Sequence, residues 1–131
     1  MNDLIQKLTN AILRQEGMGP ANPNPGNLRD APWFPPGAPG KRYYPNTYPA
    51  QTLQYASGFW VPRSRAEGVA GAAHVVALHI AEGDTLRQLI SRWAPNSDGN
   101  DTEAYIQNVA GWADIPDVNL PLWNFILDPV T

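Results

Sequence analysis

The sequence predicts a mainly α-helical fold of the α+β type, with about five helices. Apolar residues recur every three to four positions in several segments, which is the period of an amphipathic helix. Residues that commonly start or stop helices stand at the ends of these segments. Between residues 18 and 62, by contrast, proline, glycine and asparagine predominate, so we expect a long irregular region in the N-terminal half of the chain.

The first predicted helix covers Asn2–Glu16. Asn2 or Asp3 can cap its start, and Gly17 stops it, which makes Glu16 the last helical residue. The positions that recur at helical spacing are Leu4, Ile5, Leu8, Ala11, Ile12 and Gln15. Because the C-terminal end of a helix carries a partial negative charge, we expect the pKa of Glu16 to be raised, as a general acid requires. Read alone, the segment favours a solvated helix end over a catalytic acid.

The irregular region contains eight aromatic residues, and disordered segments are poor in aromatics, so we expect an ordered loop. Two short strands are predicted within it, at residues 52–55 and 59–61, joined by a turn at Ser57 and Gly58 as one β-hairpin. Most of the aromatic side chains should pack in a small core of their own. Any that are exposed would offer flat platforms for sugar rings.

A second helix is predicted to start at Ser64, which forms a capping-box pattern with Glu67, and to stop at Gly83. Its predicted apolar face consists of Ala66, Val69, Ala70, Ala73, Val76, Ala77 and Ile80. His74 and His79 lie beside this face, so we expect boundary or surface positions for both and assign neither a role.

A third helix begins with the capping-box pair Thr85 and Gln88 and ends before Pro95, because the residue preceding a proline avoids the helical conformation. Its apolar positions are Leu86, Leu89, Ile90 and Trp93. A fourth helix is predicted from Thr102 to about Trp112. Its predicted buried positions are Ala104, Tyr105, Val109 and Trp112.

Three acids, Asp98, Asp101 and Glu103, cluster at the start of the fourth helix. Carboxylates at this place usually cap the helix, and the ligand spacing of a calcium loop is absent from the sequence, so we expect capping. Near the end of the chain, Asn119 is predicted to cap a last short helix.

The composition argues against several kinds of partner. A net charge of −3 gives no reason to expect a nucleic-acid partner. Because the chain has no cysteine and two histidines, we expect no metal site. The sequence implies no organic cofactor either.

The charges of Asp3, Lys7 and Arg14 do not fit a signal peptide, and no segment resembles a transmembrane helix. We expect a single domain, 1–131, that does not insert into a membrane.

Three blocks of sequence stand out when the chain is read as a whole. The first is ILRQEG (12–17) followed by NPGNLR (24–29), the second is Phe59 followed by AEGV (66–69), and the third is TLRQLISRWAP (85–95) followed by NDTEAYIQNV (100–109). In this order the blocks resemble the small phage-type members of the lysozyme-like superfamily, which include endolysins, virion-associated muramidases and lytic transglycosylases. A proline-rich insert, residues 30–55, carries no part of the resemblance.

The resemblance implies a lysozyme-like fold whose first helix ends at a catalytic glutamate, above a groove for the glycan strands of peptidoglycan. Glu16 is then the general acid that protonates the oxygen between N-acetylmuramic acid and N-acetylglucosamine. The implied groove residues, which line the walls or support them, are Asn24, Asn27, Arg29, Trp93, Asn100 and Tyr105. The protein is expected to be a monomer, located in a phage virion or in the host cytoplasm with release to the periplasm or cell wall.

The mechanism depends on whether a second carboxylate takes part. Hydrolytic glycosidases pair the acid with another carboxylate. By the resemblance, lytic transglycosylases use one glutamate as acid and then as base, while the sugar's own hydroxyl closes an anhydro ring. The candidates are Asp30 and Asp101, with Asp98 beside the latter, although Asp30 could simply pair with Arg29. Residues 18–29 contain no acid, so the aspartate that phage lysozymes carry shortly after the glutamate has no counterpart.

Two other functions stay open at this point. A virion structural or glycan-binding protein would keep the fold without turnover, since fold does not determine function. A related glycosidase would use the same acid on chitin or chitosan.

Overall fold

A computed structural model describes residues 2–17 and 64–126 of the chain. Within these ranges the helical elements are α1 (Asn2–Glu16), α2 (Arg65–Ala81), α3 (Leu86–Trp93), a 3-10 helix (Asn96–Asp98), α4 (Thr102–Trp112) and a second 3-10 helix (Leu122–Phe125). The strand-like pairing found in this part of the chain is one isolated antiparallel bridge between Thr85 and Pro121. The prediction of a mainly α-helical fold is therefore confirmed, while the predicted irregular region and hairpin lie outside the described residues.

The chain divides into two compact units. The first comprises Met1–Gln15 and Ala73–Thr131, and the second comprises Glu16–Ala72. The prediction of a single domain stays a prediction. Of the helices in residues 2–17 and 64–126, none is long and apolar enough to cross a membrane.

The core of the first unit is formed by the apolar faces of α1, α3 and α4 and the C-terminal half of α2. Its largest fully buried side chains are Leu8, Ile12, Val76, Ile80, Leu86, Leu89, Ile90, Ile106, Val109 and Leu122. Each side chain of this size stabilises the fold by roughly 1.5–3 kcal/mol when it leaves water. The apolar face predicted for α1 is confirmed at Leu4, Leu8, Ala11 and Ile12, all of which are buried, and Ile5 packs against the core from its edge.

Both ends of α2 follow local rules. At its start the side-chain oxygen of Ser64 accepts a hydrogen bond from the amide of Glu67 at 3.1 Å, as the capping pattern predicted. At its end Gly83 has a φ of 82°, and its amide donates to the carbonyl of Ile80. The amide of Asp84 donates to the carbonyl of His79, which completes a Schellman motif.

The face predicted for the first half of α2 is wrong. Ala66 and Ala70 are exposed, and the buried positions in this half are Gly68, Gly71 and Ala72. Alanine and glycine differ little in hydrophobicity, so a helix rich in both gives the sequence pattern little contrast between faces. In the C-terminal half of α2, which contains larger apolar side chains, the predicted face is confirmed at Val76 and Ile80.

The capping predictions are confirmed for α3 and, at Asp101, for α4, whereas the Glu103 side chain binds Arg87 and Gln107 instead. Thr85 accepts from the amide of Gln88 at 3.0 Å, and the Gln88 side chain accepts from the amide of Thr85 at 2.8 Å. Asp101 caps α4 by accepting from the amide of Ala104 at 3.1 Å. At the far end of α4, Asp114 takes a φ of 57° and Ile115 donates to the carbonyl of Ala110, which is the longer of the two hydrogen bonds of a Schellman motif.

Two predicted buried positions of α4 are wrong. Ala104 is exposed, and Trp112 is 38% exposed, while Ile106 and Ala110 are buried instead. The helix presents Tyr105, Ile106, Val109 and Ala110 to the core. Trp112 follows Val109 by three residues and Tyr105 by seven, so it lies at the edge of this face. As the last residue of the helix it is only partly covered, and 38% of it remains exposed.

The turn between α2 and α3 contains a buried carboxylate, that of Asp84, which is 8% exposed. The ring Nδ1–H of His79 donates to Asp84 Oδ2 at 2.6 Å, and Nη1 of Arg92 lies 3.5 Å from the same oxygen. The backbone carbonyl of Asp84 accepts from the amide of Leu122 at 2.8 Å. His79, to which the sequence gave no role, is therefore a structural partner of this turn.

A polar network on the surface joins α3, α4 and the segment after α4. Arg87 donates to both oxygens of Glu103, at 2.6 and 3.4 Å, and its Nε donates to the side-chain oxygen of Asn119 at 3.0 Å. Gln107 donates to Glu103 at 3.1 Å. The prediction that Asn119 caps a last helix is wrong: this helix is a 3-10 turn whose N-cap is Pro121, and the side chain of Asn119 binds Arg87.

The hydrogen bonds donated by Arg87, and then by Gln107, lower the pKa of Glu103 from its ordinary value of 4.5. A lowered folded-state pKa stabilises the fold above pH 4.5, and this stabilisation is lost as the pH falls through the folded-state value. We therefore expect Glu103→Gln to reduce the free energy of unfolding near neutral pH, with the difference from the parent shrinking below pH 4.5. Denaturant unfolding across this pH range measures the effect.

Glu82→Gln is the matched control, because Glu82 lies 3.9 Å from Arg92 in a more exposed ion pair. We expect a smaller difference from the parent at neutral pH. A Glu103→Gln protein whose deficit stayed constant into the acid range would contradict the prediction.

Gly83 and Gly99 share a φ of 82° but differ in their surroundings. An alanine Cβ at Gly83 would lie 2.8 Å from Cη2 of Trp123, whereas at Gly99 it would meet nothing within 4 Å. We expect Gly99→Ala to lose about 1–2 kcal/mol from the left-handed backbone alone. Gly83→Ala should lose about 1 kcal/mol more, because the indole has to move away. Equal losses in thermal or chemical unfolding would show that the contact with Trp123 contributes nothing.

Candidate functional site

The candidate acid, Glu16, lies where the sequence predicted it, at the last position of α1. Its side chain is half-buried, and Gly17 follows with a φ of 64°, so the chain leaves the helix there in the left-handed conformation. A built Cβ at Gly17 meets nothing within 4 Å, so glycine is required there by backbone conformation and not by a close neighbour. The carboxyl group therefore stands at the negative end of the helix dipole, with part of its surface open to solvent.

The last turn of α1 contacts the exposed edge of α4 that Asn108 and Trp112 form. The guanidinium carbon of Arg14 lies 4.2 Å from the ring centre of Trp112, which is a cation–π contact. The side-chain oxygen of Gln15 accepts from the side-chain amide of Asn108 at 3.0 Å. Asn108 and Trp112 are four residues apart on α4 and so share one face of the helix. The sequence analysis missed this contact, since it assigned Trp112 to the core and gave Asn108 no role.

Four of the predicted site residues, Asn24, Asn27, Arg29 and Asp30, lie outside the described residues. Apart from Glu16, which belongs to the second unit, the other predicted site residues lie in the first unit, on α3, on α4 or in the loop between them. Trp93 is half-buried at the edge of the core, and Tyr105 is 3% exposed within it. Of the two roles that the resemblance implies for Tyr105, lining a wall or supporting it, this burial is compatible with support.

The loop between α3 and α4 is held by its own hydrogen bonds. The buried hydroxyl of Thr102 donates to the carbonyl of Ala94 at 2.6 Å, and the amide of Thr102 donates to the side-chain oxygen of Asn96 at 3.1 Å. The side-chain amide of Asn100 donates to the carbonyl of Pro95 at 3.2 Å. Asn100 therefore stabilises the loop, whether or not it also meets a substrate.

A cavity of about 400 Å³ opens at the other end of α1. It is lined by Asp3, Leu4, Lys7, Ala113, Asp114, Ile115, Pro116, Asn124 and Phe125. Lys7 and Asp114 form an exposed ion pair at 3.7 Å at this cavity. None of the predicted site residues lines it, and the sequence analysis gave no sign of it.

In residues 2–17 and 64–126, no group of three or more histidine, aspartate or glutamate side chains is placed to hold a metal ion. The chemistry that these residues offer is that of single carboxyl groups, of which Glu16 and Asp101 are the two candidates for the predicted reaction.

Two substitutions separate the capping role of Asp101 from a role as second carboxylate. Asp101→Ala should lose about 1 kcal/mol of stability, because the amide of Ala104 loses its acceptor. Asp101→Asn keeps an oxygen acceptor, so we expect parental stability and parental turnover of peptidoglycan. Thermal unfolding and release of soluble glycan fragments measure the two properties. An Asp101→Asn protein that is stable but inactive would instead identify Asp101 as the second carboxylate.

No protein-family model, curated protein or solved structure matches this chain. The resemblance to lysozyme-like proteins stays a prediction. Because a helical fold serves many functions, the function has to be argued from the placement of individual side chains.

Proposed function

We propose that this protein is a glycosidase that cleaves the glycan backbone of peptidoglycan, with Glu16 as the general acid. The observation that supports the proposal is the position of Glu16. It is the last residue of α1, it is half-buried, and Gly17 turns the chain immediately after it. A carboxyl group in such a place is partly desolvated and still accessible, which is what proton donation to a bound sugar requires.

In the proposed reaction Glu16 donates its proton to the glycosidic oxygen as the bond to the anomeric carbon of N-acetylmuramic acid breaks. The released sugar leaves as an alcohol, and Glu16 becomes a carboxylate. In a muramidase, water then attacks the anomeric carbon with help from a second carboxylate. In a lytic transglycosylase, a hydroxyl of the same sugar attacks instead, and the Glu16 carboxylate takes its proton.

Asp101, one of the candidates for the second carboxylate, accepts the hydrogen bond that caps α4. This capping role is sufficient to explain an aspartate at position 101 without catalysis. The observation favours a mechanism that does not use Asp101, whereas Asp30 lies outside the described residues. Mass spectrometry of the fragments distinguishes the mechanisms, since hydrolysis leaves reducing ends and transglycosylation leaves anhydro ends.

Glu16→Gln tests the proposal directly. Glutamine keeps the size and the hydrogen-bonding oxygen of the side chain but has no proton of suitable acidity to donate. We expect release of soluble fragments from purified Gram-negative sacculi to fall about 10²–10⁴-fold, the usual contribution of general acid catalysis. Glu82→Gln, which removes an exposed carboxylate from α2's C-terminal end, should keep parental activity.

A folded Glu16→Gln protein that degrades sacculi as fast as the parent would disprove the proposal. If the parent binds sacculi without releasing fragments, the protein is a glycan-binding or virion structural protein. If it releases fragments from chitin or chitosan and not from sacculi, the glycosidase acts on a different polymer.

A further inference from the structure

In the part of the chain that the structure describes, the core contacts of α1 extend as far as Ile12. The buried positions of the helix are Leu4, Leu8, Thr9, Ala11 and Ile12, and Ile12 is the last of them. Glu16 lies one helical turn further on, in the part of the helix whose final carbonyl groups lack partners within the helix. Helix ends without further contacts fray. A carboxyl group that has to meet one oxygen atom of a substrate therefore needs restraint from outside the core.

Two side-chain contacts to α4 provide such restraint. They join consecutive residues of the last turn, Arg14 and Gln15, to Trp112 and Asn108 on one face of α4. The two contacts differ in kind, one a stacked cation and the other an amide hydrogen bond. Together they restrain both the rotation and the displacement of the turn that ends in Glu16.

We propose that Asn108 and Trp112 are positioning residues for the carboxyl group of Glu16. This inference rests on the proposed function of Glu16. Neither residue has to touch the substrate: they hold the last turn of α1, and the turn holds the acid. Catalytic groups have to be held within about 0.5 Å of their productive position. Displacement of about 1 Å lowers the rate on the order of 100-fold.

A purely structural role for the same contacts makes different predictions. Asn108 is exposed and Trp112 is 38% exposed, so neither belongs to the core. If they only stabilised the fold, substitution would lower the melting temperature and leave kcat of the folded protein unchanged. If they position Glu16, kcat falls while KM and the melting temperature stay close to the parental values.

The test uses Asn108→Ala, Trp112→Leu and their combination in the full chain. We expect each single substitution to lower kcat about 10-fold and the pair about 100-fold, with KM changed by less than about 2-fold. Trp112→Phe keeps an aromatic face for Arg14 and should restore most of the activity lost in Trp112→Leu. Gln107→Ala is the matched control, because Gln107 is the adjacent exposed amide on α4 and binds Glu103 instead of α1.

Amide hydrogen exchange gives a readout that does not depend on activity. We expect the amides of Gln15, Glu16 and Gly17 to exchange at least about 10-fold faster in the double variant than in the parent or in Gln107→Ala. Parental exchange and parental kcat in the double variant would overturn the inference. Faster exchange with parental kcat would also overturn it, because the variant would then have lost the restraint on the turn without any loss of catalysis.

The experiments can disprove the proposed function and the positioning role independently. If Glu16→Gln keeps full activity, Glu16 is not the acid. The positioning role of Asn108 and Trp112 is then wrong as well, whatever the hydrogen exchange shows. If Glu16→Gln is inactive and the double variant is fully active, the function stands and the positioning role is wrong.

Discussion

The buried carboxylate of Asp84 is the constraint on which the first unit depends. A charged group removed from water has to be paired and hydrogen-bonded, or the folded state loses several kcal/mol. His79 supplies the hydrogen bond from the last turn of α2, and Arg92 supplies a positive charge from the last turn of α3. The backbone of the same residue binds Leu122. The ends of two helices and the C-terminal segment are therefore held at one point, and the apolar residues between them close the core.

The positions of the helices could be predicted from the sequence because their signals are local. Gly17 and Gly83 adopt the left-handed conformation that ends a helix, and Thr85 and Gln88 form both bonds of a capping box. Which side of a helix is buried depends less on neighbouring residues in the sequence. The first half of α2 consists of small residues that look alike on every side, so its buried face could not be read from the pattern. Trp112 shows the converse: its aromatic ring and its spacing from Tyr105 and Val109 predict a core residue, but it lies at the edge of the core face and is 38% exposed.

In the candidate site, too, local features could be predicted from the sequence and contacts between distant residues could not. The placement of Glu16 at the end of α1 and the capping by Asp101 each follow from a few neighbouring residues, and both predictions are confirmed as placements. The contact between Gln15 and Asn108 joins residues that are 93 positions apart, and no property of either segment alone indicates it. Contacts of this kind arise from how helices pack, so they become visible only when the helices are placed in space.

That separation along the chain also bears on how the protein is made. During synthesis α1 emerges from the ribosome well before α3 and α4, whose apolar residues belong to the same core as Leu8 and Ile12. The core that contains these residues can close only after α4 has been translated, so segments far apart along the chain have to meet, which slows folding. Apolar surface that waits for distant partners promotes aggregation.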